Sequence, residues 1–253
     1  MPGSSSMSPQ KLTVLGVIPA RLASERLPRK VLREIAGRPM LQVIYERSRK
    51  AGCLDELIVA TDSEEILSFC ERNQIPAMLT SPAHTSGTDR IAEVSERKEA
   101  EVYVTIQGDE PLVRPEHIEA MVDVLRQVEA IQVSTLKVAI SRAQAADPSV
   151  VKVVTDPEGY ALYFSRHPIP FPRGGDAPCF KHLGFYAYRR RALQAFHRLA
   201  PTPLEQVEKL EQLRFLENRI PIYVADTEYD AIGVDTEEDL RRVEKFFTEK
   251  SSQ

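Results

Sequence analysis

Cysteine is scarce in this 253-residue chain: Cys53, Cys70 and Cys179 are three, an odd number, and no CxxC pair occurs. Neither a disulfide framework nor a structural zinc site is suggested, and a reducing compartment is expected. Net charge is equally sparse. Lys+Arg at 33 against Asp+Glu at 37 leaves a formal charge of -4, which offers no global field to nucleic acid or anionic lipid, so any anion site must be local. Long apolar runs are missing too. The stretch Leu12 to Ala20 is too short to span a membrane and lacks the basic leader and cleavage pattern of a signal peptide. A cytoplasmic location is the expectation. Two phosphate-binding fingerprints are also absent: no GxxxxGK followed by Ser or Thr, and no GxGxxG.

What is present describes a soluble globular protein, 42% hydrophobic and 28% charged. Residues 1–10, MPGSSSMSPQ, are small and polar and are expected to form a disordered tail outside the fold. From there strand and helix patterns alternate. LTVLGVIPA reads as a strand, and RPMLQVIYERSRKAG as a helix with Pro39 in its first turn and Gly52 as its stop. LDELIVATD is a strand, SEEILSFCERN a helix, and Ala77 to Leu79 a short strand. Thr88 and Asp89 can cap a helix through IAEVSERKEA. VYVTIQ is a central strand stopped by Gly108 and Pro111, and Pro115 opens a helix with Ile118, Met121, Val122 and Leu125 on one face. This alternation predicts a mostly parallel α/β sheet, Rossmann-like, with helices on both faces.

The second half reads differently. IQVSTLKVAI, VVKVVTD and YALYFSR are strand-like, the last two joined by the turn signal Pro157-Glu158-Gly159, which predicts an antiparallel excursion. HPIPFPRGGDAP is too proline-rich for a regular element. HLGFYAYR alternates as a strand, LEQVEKLEQLRFLENR has one helical apolar series, and IPIYVA with TEEDLRRVEKFF closes the chain. With no repeat and no linker-like composition, a single domain over residues 11–250 is expected, with an inserted excursion at 150–190.

Three clusters carry candidate chemistry. PARLASERLPRK follows the first strand, where ligands gather in parallel sheets. Arg21, Arg26, Arg29, Lys30 and nearby Arg33 concentrate cationic charge there as a triphosphate requires, although a solvated basic loop is the alternative. Gln107-Gly108-Asp109-Glu110-Pro111 puts a carboxylate at a strand end, a place for Mg²⁺, or else forms an ordinary turn. In GVDTEEDL, Asp235 is a metal ligand or a helix cap, and Thr236 could cap equally well.

Taken in order, PARLASERLPRK, HTSGTDR, IQGDEP, KVVTDPEGYALYFSR, KHLGFYAYR, LEQLRFLE and GVDTEEDL resemble the CMP-Kdo synthetases, the 3-deoxy-manno-octulosonate cytidylyltransferases of bacterial lipopolysaccharide synthesis. The resemblance runs from about Thr13 to about Phe247. It implies a nucleotidyltransferase that couples CTP to Kdo with Mg²⁺, acting as a homodimer, with the 150–190 excursion serving dimerisation and sugar binding. It also implies roles. Arg21, Ser24 and Lys30 look like triphosphate ligands. Ser86, Gly87, Asp89, Arg90 and Gln107 look like cytidine-recognition residues, and Asp109 and Asp235 like the Mg²⁺ ligands. Arg166, His182, Tyr186, Glu211 and Gln212 look like the sugar-acid pocket, with Arg166 the partner of its carboxylate. The competing expectations are a cytidylyltransferase for a neighbouring acid sugar, such as 8-amino-Kdo or a nonulosonic acid, and a catalytically silent CTP-binding regulator.

Overall fold

The computed structural model describes residues 12–24, 26–84, 86–175 and 177–250; the 1–10 tail lies outside them. The chain runs β1 (Val14–Ala20), a 3-10 turn (Lys30–Leu32), β2 (Glu34–Ile35), β3 (Arg38–Pro39), α1 (Met40–Ser48), β4 (Glu56–Thr61), α2 (Glu64–Arg72), β5 (Ala77–Leu79), α3 (Gly87–Arg97) and β6 (Val102–Thr105). It continues with α4 (Pro115–Gln127), β7 (Val133–Ile140), α5 (Arg142–Ala145), β8 (Lys152–Thr155), β9 (Ala161–Ser165), β10 (Cys179–Arg189), α6 (Arg190–His197), α7 (Pro203–Glu208), α8 (Leu213–Glu217), β11 (Tyr223–Asp226) and α9 (Glu237–Lys250).

β1 is buried on both faces because its residues are apolar without alternation, the signature of a parallel strand covered by helices. It lies parallel to β4 on one side and β6 on the other. The sheet order is β11-β7-β10-β6-β1-β4-β5, with β8 paired to β10 and β9 to β8. Along the main path only β10 is reversed, antiparallel to both β6 and β7. The β8–β9 hairpin turns at the expected Pro157-Glu158-Gly159, where Asp156 Oδ1 accepts from the amides of Glu158 (3.0 Å) and Tyr160 (2.8 Å). On one face of the sheet Ile118, Met121, Val122 and Leu125 of α4 pack against β6, β10 and β7; a second cluster, built on Tyr103, Tyr188, Phe196 and Phe215, covers the other.

Three local readings change. The cap of α3 is Ser86, whose Oγ accepts from the Asp89 amide (3.1 Å), so Thr88 and Asp89 lie inside the first turn. The single helix expected across residues 204–219 is two, α7 and α8, because Lys209 turns left-handed at φ 55°. Glu208 explains the break. Its carboxylate accepts from Ser165 Oγ (2.7 Å) and the Arg166 amide (2.9 Å), and its carbonyl accepts from Arg166 Nε (2.8 Å), drawing the helix end onto β9. Finally, Thr236 rather than Asp235 caps α9: Thr236 Oγ1 accepts from the Asp239 amide (3.2 Å), and Asp239 accepts in return from the amide of Thr236 (3.0 Å).

Candidate active site

Three chain segments that are distant in sequence meet at the carboxyl end of β1. The loop after β1 turns back where Ser24 Oγ accepts from the Leu27 amide (3.4 Å), and it delivers Lys30 at the start of the 3-10 turn. The segment after β6 brings Asp109. Gly108 is required there: a Cβ at that position would sit 2.6 Å from the Pro19 carbonyl oxygen, so only glycine lets the ends of β1 and β6 touch. The segment before α9 is tied to the same place by the Val234 amide donating to the Asp109 carbonyl (2.8 Å). With Thr236 serving as cap, Asp235 is left available to the site.

Lys30 Nζ lies between the two aspartates, 2.6 Å from Asp109 Oδ2 and 3.0 Å from Asp235 Oδ1. Arg26 reaches Asp235 Oδ2 at 2.9 Å. Burial alone would pull the Lys30 ammonium down; Asp109 and Asp235 outweigh it and hold its pKa above the usual lysine value. Burial pushes the Asp235 carboxyl up, and Lys30 with Arg26 reverses this to a net lowering. Asp235 therefore stays ionised, and Asp109 meets the same ammonium. Of the other three cations of the basic cluster two turn away, Arg29 to Glu65 and Arg33 to Glu237 (2.7 Å).

This donor set fits a divalent cation such as Mg²⁺. Two hard carboxylate oxygens converge on one cationic group, and among the described residues no group of three or more His, Cys, Asp or Glu that could hold a metal is assembled. Mg²⁺ takes few protein oxygens and fills its shell with water and phosphate, so two carboxylates beside an open cleft suit it.

Two cavities open from this point. The first, about 750 Å³, is lined by Arg21, Ser24 and Lys30 from the first loop, Ser86, Gly87 and Arg90 from the start of α3, and Gln107 and both aspartates. Arg21 is exposed and has no ion pair among the described residues, so its guanidinium is open to an incoming anion. Ser86 Oγ also donates to Asp89 Oδ2 (3.0 Å), which places Asp89 just behind the cavity wall. Arg90 is buried and fixed by Asp62 (2.8 Å), so its role in the wall is rigid.

The second cavity, about 990 Å³, is lined by His182, Tyr186, Glu211 and Gln212, and it shares Arg26, Gln107 and Asp235 with the first. Gln107 Nε2 is oriented by the Gly184 carbonyl (3.2 Å). His182 is held by Thr135: the Thr135 hydroxyl gives its proton to the Phe185 carbonyl (2.7 Å) and accepts from His182 Nε2–H (2.9 Å), leaving Nδ1 as the ring's acceptor. Burial drives the His182 pKa down to about 3, so the ring is neutral. Glu211 accepts from Thr88 Oγ1 (2.7 Å), and burial raises its pKa against the opposing pull of Ser86 and Thr88.

Arg166 is not brought to either cavity. Its Nε donates to the Glu208 carbonyl (2.8 Å) and its Nη1 to the Pro148 carbonyl (3.1 Å), which commits the guanidinium to the backbone. The expected contact with the sugar carboxylate is not among the contacts the guanidinium makes here. Conversely, the sequence reading gave no ligand role to Thr88, Glu110 or Lys181, all of which line the second cavity. Burial, then Asp109, pushes the Glu110 carboxyl up to about 8. Thr88 was legible as a cap and Glu110 as a turn residue; their second roles had no signal in spacing.

A family model for cytidylyltransferases matches residues 15–222. The 3-deoxy-manno-octulosonate cytidylyltransferase of Koribacter versatilis is 53% identical over 94% of this chain and 91% of its own length. That of Acidobacterium capsulatum is 51% identical over 94% and 98%. A solved CMP:2-keto-3-deoxy-manno-octonic acid synthetase complexed with CTP superposes with a TM-score of 0.91 at 42% identity, covering 94% of this chain and 99% of that one. A 4-diphosphocytidyl-2C-methyl-D-erythritol synthase from Anaerococcus prevotii, at 15% identity and a TM-score of 0.62, shares the fold alone. With a nucleotidyltransferase fold, two joined cavities and these relatives, the chain belongs to the 3-deoxy-manno-octulosonate cytidylyltransferase (CMP-Kdo synthetase) family.

Proposed function

We propose that this enzyme transfers the cytidylyl group of CTP to Kdo, releasing pyrophosphate and giving CMP-Kdo for lipopolysaccharide synthesis. The observation that carries the reading is the shared wall of the two cavities at Arg26, Gln107 and Asp235: a nucleotide in one and a sugar in the other would meet beside the aspartate pair.

In this reading cytidine lies against Ser86, Gly87, Asp89, Arg90 and Gln107, and the triphosphate runs along Arg21, Ser24 and Lys30. The acid sugar contacts His182, Tyr186, Glu211 and Gln212. Its anomeric hydroxyl approaches the α-phosphorus in line and pyrophosphate departs on the far side. Arg21 and Lys30 offset the charge that gathers on the departing group, as fixed cations in a partly desolvated cleft do most effectively. Asp109 and Asp235 would hold Mg²⁺, which supplies neutralisation of phosphate charge when bound.

A reaction that consumes CTP belongs in the cytoplasm, and three buried free cysteines accord with a reducing compartment. Among the described residues no helix is long and apolar enough to cross a membrane. A homodimer is part of the same proposal. It is supported by the exposure of Leu162 on β9 (61%), Phe171 in the proline-rich arm (82%) and Val207 on α7 (80%), apolar side chains that a partner copy would cover. Light scattering at working concentration tests it, and a purely monomeric protein removes it.

The deciding assay is pyrophosphate release with CTP and Kdo, with and without Mg²⁺. Metal-dependent release with Kdo upholds the reading. A clear preference for 8-amino-Kdo or a nonulosonic acid replaces the named sugar, and tight CTP binding with background release from every acid sugar replaces the enzyme with a regulator.

A further inference from the structure

β8 begins with a lysine that takes no part in the chemistry above. Lys152 is completely buried, yet among the described residues it has no ion pair; its Nζ donates to three backbone carbonyls, those of Asp147 (3.0 Å), Val150 (2.6 Å) and Arg166. Three carbonyl dipoles match the three donors of an ammonium. An ammonium removed from water is costly even with the Asp147 and Glu208 carboxylates in its vicinity, and an apolar residue of similar volume would serve packing alone better. The charge is therefore explained by what it holds.

What it holds is a wall of the second cavity. Asp147, Ser149, Val150 and Val151 line that cavity, and they lie between α5 and β8, outside any regular element. The Asp147 and Val150 carbonyls point back to Lys152, and the Pro148 carbonyl between them points back to Arg166 Nη1 (3.1 Å). The Val151 carbonyl accepts from the amide of His182 (2.8 Å), which joins the wall to the strand that carries the histidine. Lys152 itself is placed by strand pairing, opposite Ser165 of β9 and Lys181 of β10. A ladder position thus fixes the ammonium, and the ammonium fixes the loop.

We propose that Lys152 is a positioning residue for the acid sugar: its buried ammonium holds residues 147–151 in the shape that the sugar half of the cleft requires. This rests on the reading that the second cavity takes the sugar.

The test compares Lys152→Met, which keeps length and removes the charge, with Lys152→Arg, which keeps the charge and several donors. Steady-state KM for Kdo and for CTP is measured on the full-length enzyme, and hydrogen exchange is followed at the amides of 145–151. Expected for Lys152→Met are a Kdo KM raised about tenfold, a CTP KM within about twofold of the parent and faster exchange confined to that segment, with Lys152→Arg recovering part of the loss. If Lys152→Met yields no folded protein, Lys152→Gln and Lys152→Arg carry the same measurements. Unchanged exchange at 145–151, or equal losses for both substrates, overturns the proposal. Faster exchange with an unmoved Kdo KM shows that the sugar does not use this cavity, and the proposal then falls with that reading.

Discussion

The two halves of the cleft are built by different means. The half proposed for the nucleotide is a meeting of strand ends: a basic loop after β1, a glycine that lets β6 approach, and two aspartates around Lys30. Its chemistry is charge on short tethers. The half proposed for the sugar is a meeting of buried polar side chains, His182 on Thr135, Glu211 under Thr88 and Lys152 on three carbonyls, each fixed by a partner from another segment. In the proposed reading the first half handles phosphate, for which electrostatics suffices. In the same reading the second has to distinguish one sugar from others, for which polar side chains held in place by partners are suited.

The largest expected effect separates chemistry from binding in the first half. Asp109→Asn should lower kcat by about 10³-fold while CTP affinity, read by calorimetry, moves severalfold at most. A variant that stays active with the parent's metal dependence removes Asp109 from the chemistry. Next comes the contact that joins the strand ends. Gly108→Ala forces the Pro19 carbonyl aside and should cost about a hundredfold in kcat/KM, as misplacement near a reacting centre does. Gly174→Ala, where a Cβ meets nothing within 4 Å, is the control and should be silent.

A third experiment has an unusual sign. Lys30→Met should destroy turnover and yet tighten Mn²⁺ binding to the nucleotide-free enzyme severalfold, because Asp109 and Asp235 lose the cation now between them. Paramagnetic relaxation of water protons reads the affinity, and weaker Mn²⁺ binding would break the picture. The smallest effect belongs to the sugar half. His182 has a folded pKa of about 3 against an ordinary 6.5, so the unfolded chain binds the proton first and stability falls as pH drops from about 6.5 toward 3. His182→Asn should flatten the slope of unfolding free energy across that window in urea melts at pH 7, 5.5 and 4.5; an unchanged slope would mean that the ring is not held neutral.

Legibility in the sequence follows the same division. β1, β4, β6 and their helices could be read because apolar runs, caps and prolines mark parallel-sheet units locally, and the cationic loop advertised itself by charge. The reversed strand β10 could be read as a strand but not placed between β6 and β7, since nothing local encodes which neighbour it takes. The α7–α8 break was hidden because the apolar series continues through it; the interruption comes from Glu208 bonding to β9, a tertiary event. Arg166 was read from side-chain chemistry alone. An arginine suits a carboxylate, but only the fold discloses that backbone carbonyls already surround it.

β10 leaves one more consequence. It lies beside β6, with Tyr186 opposite Thr105, so the strand bearing His182 and the strand leading to Asp109 are adjacent rungs of one hydrogen-bond ladder. In the proposed reading reactant alignment is inherited from backbone register. Slipping that pairing by one residue would turn every side chain of β10 to the opposite face and take His182 and Tyr186 out of the second cavity.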